Sequence, residues 1–194
     1  MRITSGLTTL GNALILQLAF LLCALPLVTY APSAIALQRQ LGDAREGRAT
    51  GFGSFAREFR RAWRQGWALG VTVLAVGAGF LVGIPFWFAV DAWFGLAAMA
   101  VLVALLGVAS AFFLNVLHAS ERLRESNWRT WLAPAFGGLA TAPLAGLWAM
   151  VQFLTWLVLM AFLPALAVVG AGLIPALIVR FTLGTGRGAA RQAS

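Results

Sequence analysis

The sequence predicts an all-α fold: a polytopic transmembrane helix bundle of about five spans, with an amphipathic basic helix at the interface. Three observations carry this. From Leu132 to Val179 the chain runs 48 residues without a charge, and Thr141, Gln152 and Thr155 are the only appreciably polar side chains there. A helix rises about 1.5 Å per residue and a bilayer's hydrocarbon core is about 30 Å thick, so this run suits two crossings and not one. The chain is 61% hydrophobic and 10% charged, whereas soluble domains carry roughly 25% charged residues. The charges also gather between the apolar runs instead of within them.

Span one is expected from about Leu7 to Tyr30. Pro26 and Pro32 bracket its end and predict a break near Val28 to Ala31, because proline removes a backbone donor and restricts the residue before it. A short helix over Ser33 to Gln40 is expected to follow, with Ser33 as its N-cap. Arg2, the apolar stretch from Ala13 and the small residues Ala34 and Ala36 imitate a secretory leader. The single arginine of its first region argues against cleavage.

Residues 39–65 form the first basic segment, with seven arginines against Asp43, Glu46 and Glu58. Its glycines predict flexible chain in the first half. The second half, Ser54 to Trp67, reads as a helix lying in the interface plane. Phe52, Phe55, Phe59, Trp63 and Trp67 recur at spacings of three and four, and Arg57, Arg60, Arg61 and Arg64 take the other side. That pattern sets aromatic rings toward lipid and guanidinium groups toward phosphates.

Span two is expected from about Ala68 to Val90 and span three from about Ala92 to Leu117. The turn between them has aromatic residues on both sides of Asp91 and no arginine, which marks the far interface. Residues 118–131 form the second basic segment, anchored by Trp128 and Trp131. Spans four and five fill the long apolar run, with their turn between Met160 and Gly172. Residues 1–183 read as one membrane-embedded domain and 184–194 as a disordered basic tail. The positive-inside rule puts both basic loops and the C-terminus in the cytoplasm. Five spans then put the N-terminus outside; a re-entrant first span would bring it inside.

The net charge is +8 and all 14 basic residues are arginine. Such a chain invites comparison with nucleic-acid binders, but its arginines flank apolar segments, so nucleic acid is not expected as a partner. Anionic lipid head groups are. The one cysteine, Cys23, excludes an internal disulfide. His118 stands without a second histidine or cysteine nearby, so no metal, cofactor or catalytic residue is expected, and the chain reads as no enzyme. Asn12, Gln17, Asn115 and Gln152 are polar groups at membrane depth, where each must face another helix. Asn115 and Gln152 are also the candidates for a polar path. Gly66-x-x-x-Gly70 and Gly79-x-x-x-Gly83 offer close-packing surfaces. Tryptophan and arginine recur before spans two and four, a weak internal echo.

The stretch from Leu25 to Leu37 resembles the signature of the YesL-like family of small bacterial membrane proteins of unknown function. The resemblance rests on Pro26, Val28, Thr29, Pro32 and Ser33, on the leucine-rich span before them and on the spaced phenylalanines Phe52, Phe55 and Phe59 after them. Tyr30-Ala31 departs from it, since the family often has a glycine near there. Pro26, Thr29, Pro32 and Ser33 carry the signature, and their physical role reads as a broken helix, since proline removes backbone donors and Thr29 or Ser33 can bond the freed carbonyls. The resemblance implies an accessory role beside carbohydrate-uptake transporters, with transporter subunits as partners. A small passive carrier or channel is the alternative.

Overall fold

The computed structural model describes residues 2–90, 92–163 and 165–183. Asp91, Pro164 and the tail from Gly184 lie outside the described residues. Those residues are helical with no strand: α1 (Arg2–Ala24), α2 (Tyr30–Arg45), α3 (Phe52–Phe88), α4 (Trp93–Arg122), α5 (Trp128–Thr141), α6 (Pro143–Phe162), α7 (Ala165–Gly170) and α8 (Leu173–Ile178). A 3-10 turn spans Leu27–Thr29 and a π turn spans Val179–Leu183. Three helices, α3, α4 and α6, are long and apolar enough to cross a membrane, and Gly11–Ala24 and Leu173–Thr182 are shorter apolar helices. The polytopic all-α bundle expected from the sequence is the fold found.

The first break falls at Leu25–Thr29, slightly earlier than expected, and it reverses the chain. The rings of Phe20 and Tyr30 lie 5.7 Å apart. Phe20 and Leu37 both reach to within 3 Å of the position a Gly172 side chain would take. A continuous helix would separate residues 20 and 37 by roughly 25 Å, so α1 and α2 form a hairpin. The Thr29 hydroxyl lies against the carbonyls of Cys23 and Pro26 at the apex. It thereby meets backbone acceptors that the reversal frees. Pro32 falls in the first turn of α2, where a missing N–H costs little. Ser33 is not the N-cap: α2 begins at Tyr30, and Ser33 is buried inside it with no hydrogen-bond partner for its hydroxyl among the described residues.

The first basic segment is also more ordered than its glycines suggest. α2 runs on to Arg45, and only Glu46 to Gly51 separate it from α3. Gly47 takes a φ of 70°, a left-handed conformation that glycine adopts freely. The interfacial helix and span two are one helical stretch of 37 residues, interrupted by non-helical backbone at Gly66. The predicted boundary is therefore present as a kink. Gly66 packs against Trp131 and Ile35, and a Cβ on Gly70 would collide with the carbonyl oxygen of Val28. This glycine pair seats α3 on α2 within one chain. Gly79, by contrast, faces open space.

Span three extends past His118 to Arg122. Span four does not start at Leu132. α5 ends at Thr141 before Pro143, and its 14 residues reach only about 21 Å. The crossing helix is α6, which uses Pro143 as its first residue. The turn after α6 lies inside the expected window, and a second break follows at Ala171–Gly172. That second break is held from the hairpin. The Gln17 amide donates to the Val168 carbonyl at 3.2 Å and accepts from the Leu173 N–H at 3.1 Å, and the Tyr30 hydroxyl donates to the Ala171 carbonyl at 3.4 Å. Backbone groups in an apolar setting need such partners.

The core forms around α2. Ala31 to Gln40 are all buried, packed by Leu16 and Phe20 of α1, Phe55 and Ala62 of α3, Leu114 and Leu117 of α4, and Trp131 of α5. A Gly70→Ala substitution is expected to destabilise the protein by about 1–3 kcal/mol through overpacking against fixed backbone. Gly79→Ala, in open space, should not. Thermal unfolding in detergent checks this; equal midpoints for the two variants would contradict the packing described.

Candidate functional site

α2 emerges from its apolar first half into Gln38-Arg39-Gln40, and all three side chains are buried. The Arg39 side chain is 0% exposed, and a charge so placed is costly unless its donors are met. Nε donates to the Ser120 carbonyl at 3.2 Å and Nη1 donates to Gln65 Oε1 at 3.0 Å. Glu58 Oε2 stands 3.5 Å from Nη1, and the guanidinium lies 5.6 Å from the Trp131 ring centre. Burial pulls the Arg39 pKa down, Glu58 pushes it back up, and the neighbouring Arg61 and Arg124 lower it. Arginine starts so high that it stays charged through this opposition.

Two more arginines close over the last turns of α2. Arg124 donates to the Arg39 carbonyl at 2.9 Å and pairs with Asp43 at 2.8 Å. Arg180, from the π turn, donates to the carbonyls of Leu41 at 3.0 Å and Gln38 at 3.3 Å. It also pairs with Glu121 at 2.8 Å, and Glu121 accepts from the Gln38 amide at 2.8 Å as well. Gln65 returns to the Arg124 carbonyl at 2.9 Å. The network thus ties α2, α3, α4 and the last turn together at one end of the bundle.

The acids are used up in this work. Asp43, Glu46, Glu58, Glu121 and Glu125 each pair with at least one arginine. Exposed Arg57, Arg60 and Arg64 make no ion pair among the described residues. Their spacing of three and four puts them on one face of α3. Arg61, expected beside them, instead pairs with Glu58 and Glu125.

The aromatic side of that helix is not one lipid-facing stripe. Phe55 is in the core; Phe59 and Trp63 are half-buried, with ring centres 6.4 Å apart; Phe52 and Trp67 are exposed. Trp131 is likewise not an interfacial anchor. It is wholly buried, and its indole N–H donates to the Leu123 carbonyl at 3.1 Å. The echo between Trp67 and Trp131 therefore joins two unlike environments.

Asn115 is buried and donates to Ala111 of its own helix at 2.9 Å. Gln152 is half-buried with its Oε1 unpartnered among the described residues. Neither lines the apolar groove between α3, α4 and α6. The residues that sequence reasoning passed over are Gln38, Arg39, Gln65, Arg124 and Arg180. The signal for Gln38 and Arg39 was present as three consecutive polar side chains on a helix whose preceding turns are apolar apart from Tyr30 and Ser33. Among the described residues no three His, Cys, Asp or Glu side chains gather to hold a metal ion.

Fold and site together define a multi-pass membrane helix bundle whose basic end is locked by a buried arginine network. A family model described as "Protein of unknown function, DUF624" matches residues 13–84. That segment is less than half of the chain, and over it the chain is similar to this family, the YesL-like family that its N-terminal signature resembles. The match takes in the α1–α2 hairpin, Arg39 and the arginine face of α3. No curated protein and no solved structure matches the chain.

Removing Arg39 while Glu58 stays charged is expected to cost about 3–5 kcal/mol, the usual result of breaking a buried pair from one side. Arg39→Met should lower the thermal midpoint in detergent sharply, and the double variant Arg39→Met/Glu58→Gln should recover part of the loss. Additive losses would show that the two residues do not interact.

Proposed function

We propose that this protein is a non-enzymatic accessory subunit of a membrane transport system for solutes, carbohydrates in particular. The observation that carries the reading is the one-sided charge. The acids at the basic end are consumed internally, while Arg57, Arg60 and Arg64 are presented outward on a helix fixed to the core by Phe55 and Ala62. A rigid, uncompensated arginine face is suited to anionic head groups and to an acidic surface of a partner subunit. Among the described residues no acid, base and nucleophile gather in the membrane portion, which fits a binding role better than a catalytic one. The link to carbohydrate uptake comes from the family resemblance alone.

On this reading the basic segments 39–65 and 118–131 and the C-terminus face the cytoplasm. The hairpin favours the N-terminus on that same side, because α1 returns alongside α2 toward the basic end. A passive carrier is the second reading. The neighbouring breaks at Leu25–Thr29 and Ala171–Gly172 favour it, since interrupted helices often frame transport sites. The filling of both breaks by Thr29, Gln17 and Tyr30 favours the accessory role.

Purification of the tagged protein from native membranes in mild detergent should bring transporter subunits with it. The Arg57→Gln/Arg60→Gln/Arg64→Gln variant should lose most of that material, as should wild type in high salt, because exposed charges are screened beyond about 8–10 Å at physiological ionic strength. A chain that always purifies alone and monomeric would contradict the proposal. In intact cells, Arg57→Cys and Arg122→Cys should both resist an impermeant thiol reagent added from outside; labelling of either would overturn the orientation.

A further inference from the structure

We infer that the exposed face of α3 carrying Arg57, Arg60 and Arg64 docks an acidic helix of a partner protein, in the aqueous phase outside the lipid head groups. On the proposed reading of this face as a surface for anions, on which this inference rests, the anion is a row of carboxylates. All three arginines precede the kink at Gly66, so one unbroken stretch of helix carries them, and their spacing of three and four keeps them on one side. Gly53 and Ala56 are exposed on that same side, and Phe55 and Ala62 are buried on the opposite one.

Height separates a protein partner from lipid. From Trp67 to Phe88 α3 rises roughly 32 Å, close to the thickness of a hydrocarbon core. Exposed aromatic residues stand at both ends of this stretch, Trp67 at one and Phe86 and Phe88 at the other, as they do at membrane interfaces. Trp67 therefore marks the lipid boundary at the basic end. Along the helix from there, Arg64 stands roughly 5 Å out, Arg60 roughly 10 Å and Arg57 roughly 15 Å. The head-group layer is about 5–8 Å deep on each side. Arg57 clears that layer and Arg60 reaches its outer edge.

The kink does not lay this stretch down on the membrane. Tyr30 stacks on Phe113 with ring centres 6.2 Å apart, and Arg39, further along α2, reaches the Ser120 carbonyl. α2 thus advances alongside α4 toward the basic end. α3 lies antiparallel on α2, with Gly66 against Ile35 and the Ser54 hydroxyl donating to Gln40 at 2.8 Å. The stretch before Gly66 accordingly follows the bundle outward. Helical side chains lean toward the N-terminus, which carries these guanidinium groups further from lipid.

Neither this chain nor a second copy of it supplies the counter-charge. Asp43, Glu46, Glu58, Glu121 and Glu125 are each paired with an arginine. The sixth acid, Asp91, lies in sequence just past the far end of α3, and the tail from Gly184 carries arginine and no acid. Arg57 to Arg64 span roughly 10 Å of helix. Carboxylates at intervals of three and four on a facing helix match that row, and the exposed Gly53 and Ala56 leave room for its backbone.

The test is photo-crosslinking of the full chain in intact cells, with mass spectrometry reading the captured segment. The reagent is p-benzoylphenylalanine placed at Ala56, and at Gly53 as a second placement should the first fail to fold. The expected adduct is a protein segment in which Asp or Glu recurs at intervals of three and four. Arg57→Gln/Arg60→Gln in the same chain should lower its yield about three- to tenfold, the worth of two exposed ion pairs. The same reagent at Trp67 should capture phospholipid.

Phospholipid as the sole adduct at Ala56 and Gly53 would overturn the protein partner and assign the face to head groups. A captured segment without the acidic pattern, a segment of this chain, or no adduct at either position would overturn it as well. An acidic segment from a protein with no part in solute transport would uphold this inference and overturn the accessory reading instead.

Discussion

Arg39 lies fully buried among α3, α4 and α5, and a guanidinium withdrawn from water must find its partners in the protein. The partners come from three other elements: Glu58 and Gln65 from α3, the Ser120 carbonyl from α4, the Trp131 face from α5. Anchoring one side chain, whose Nη2 alone is left without a hydrogen-bond partner among the described residues, therefore fixes the mutual placement of four helices. Apolar packing alone would leave their register loose, because in a membrane setting lipid competes equally well for leucine and valine. Charge-assisted hydrogen bonds have no such competitor in hydrocarbon.

The same demand explains the uneven charge of the surface. Asp43, Glu58 and Glu121 are drawn inward to balance Arg39, Arg124 and Arg180. Exposed Glu46 and Glu125 are paired with Arg48 and Arg61, so what remains outside without an ion pair among the described residues is arginine. The outward face of α3 is therefore a consequence of how the core is neutralised, and the stability of the fold and the charge of that face are linked through one set of carboxylates. Where the chain breaks, polar side chains from neighbouring elements complete the backbone. Thr29 does so at the hairpin apex, and Gln17 and Tyr30 do so at the gap before α8.

The membrane class, the three long helices and the break after Pro26 were legible because each rests on local chemistry: apolar run length, charge placement and proline's missing donor. The kink at Gly66 was legible as the switch from an arginine-bearing helix to an apolar one. The reversal at Leu25–Thr29 was not, because proline predicts a break and leaves its angle open. Pro143 carried the end of α5, but the uninterrupted hydropathy around it concealed that signal. Burial was the hardest to read. Arg39 and Arg57 look alike in sequence, and only the tertiary positions of Glu58, Gln65 and Trp131 separate them. Phe55 and Trp131 were likewise assigned to lipid on composition, and packing placed both in the core.

The burial of Arg39 is tested most directly by solvent exchange at its own side chain. With selectively labelled arginine, NMR can follow exchange of guanidinium Nε–H protons in detergent micelles, assigned by conservative substitution. The account predicts that Arg39 Nε–H, bonded to the Ser120 carbonyl, exchanges far more slowly than that of exposed Arg57. Exchange at Arg39 as fast as at Arg57 would contradict it.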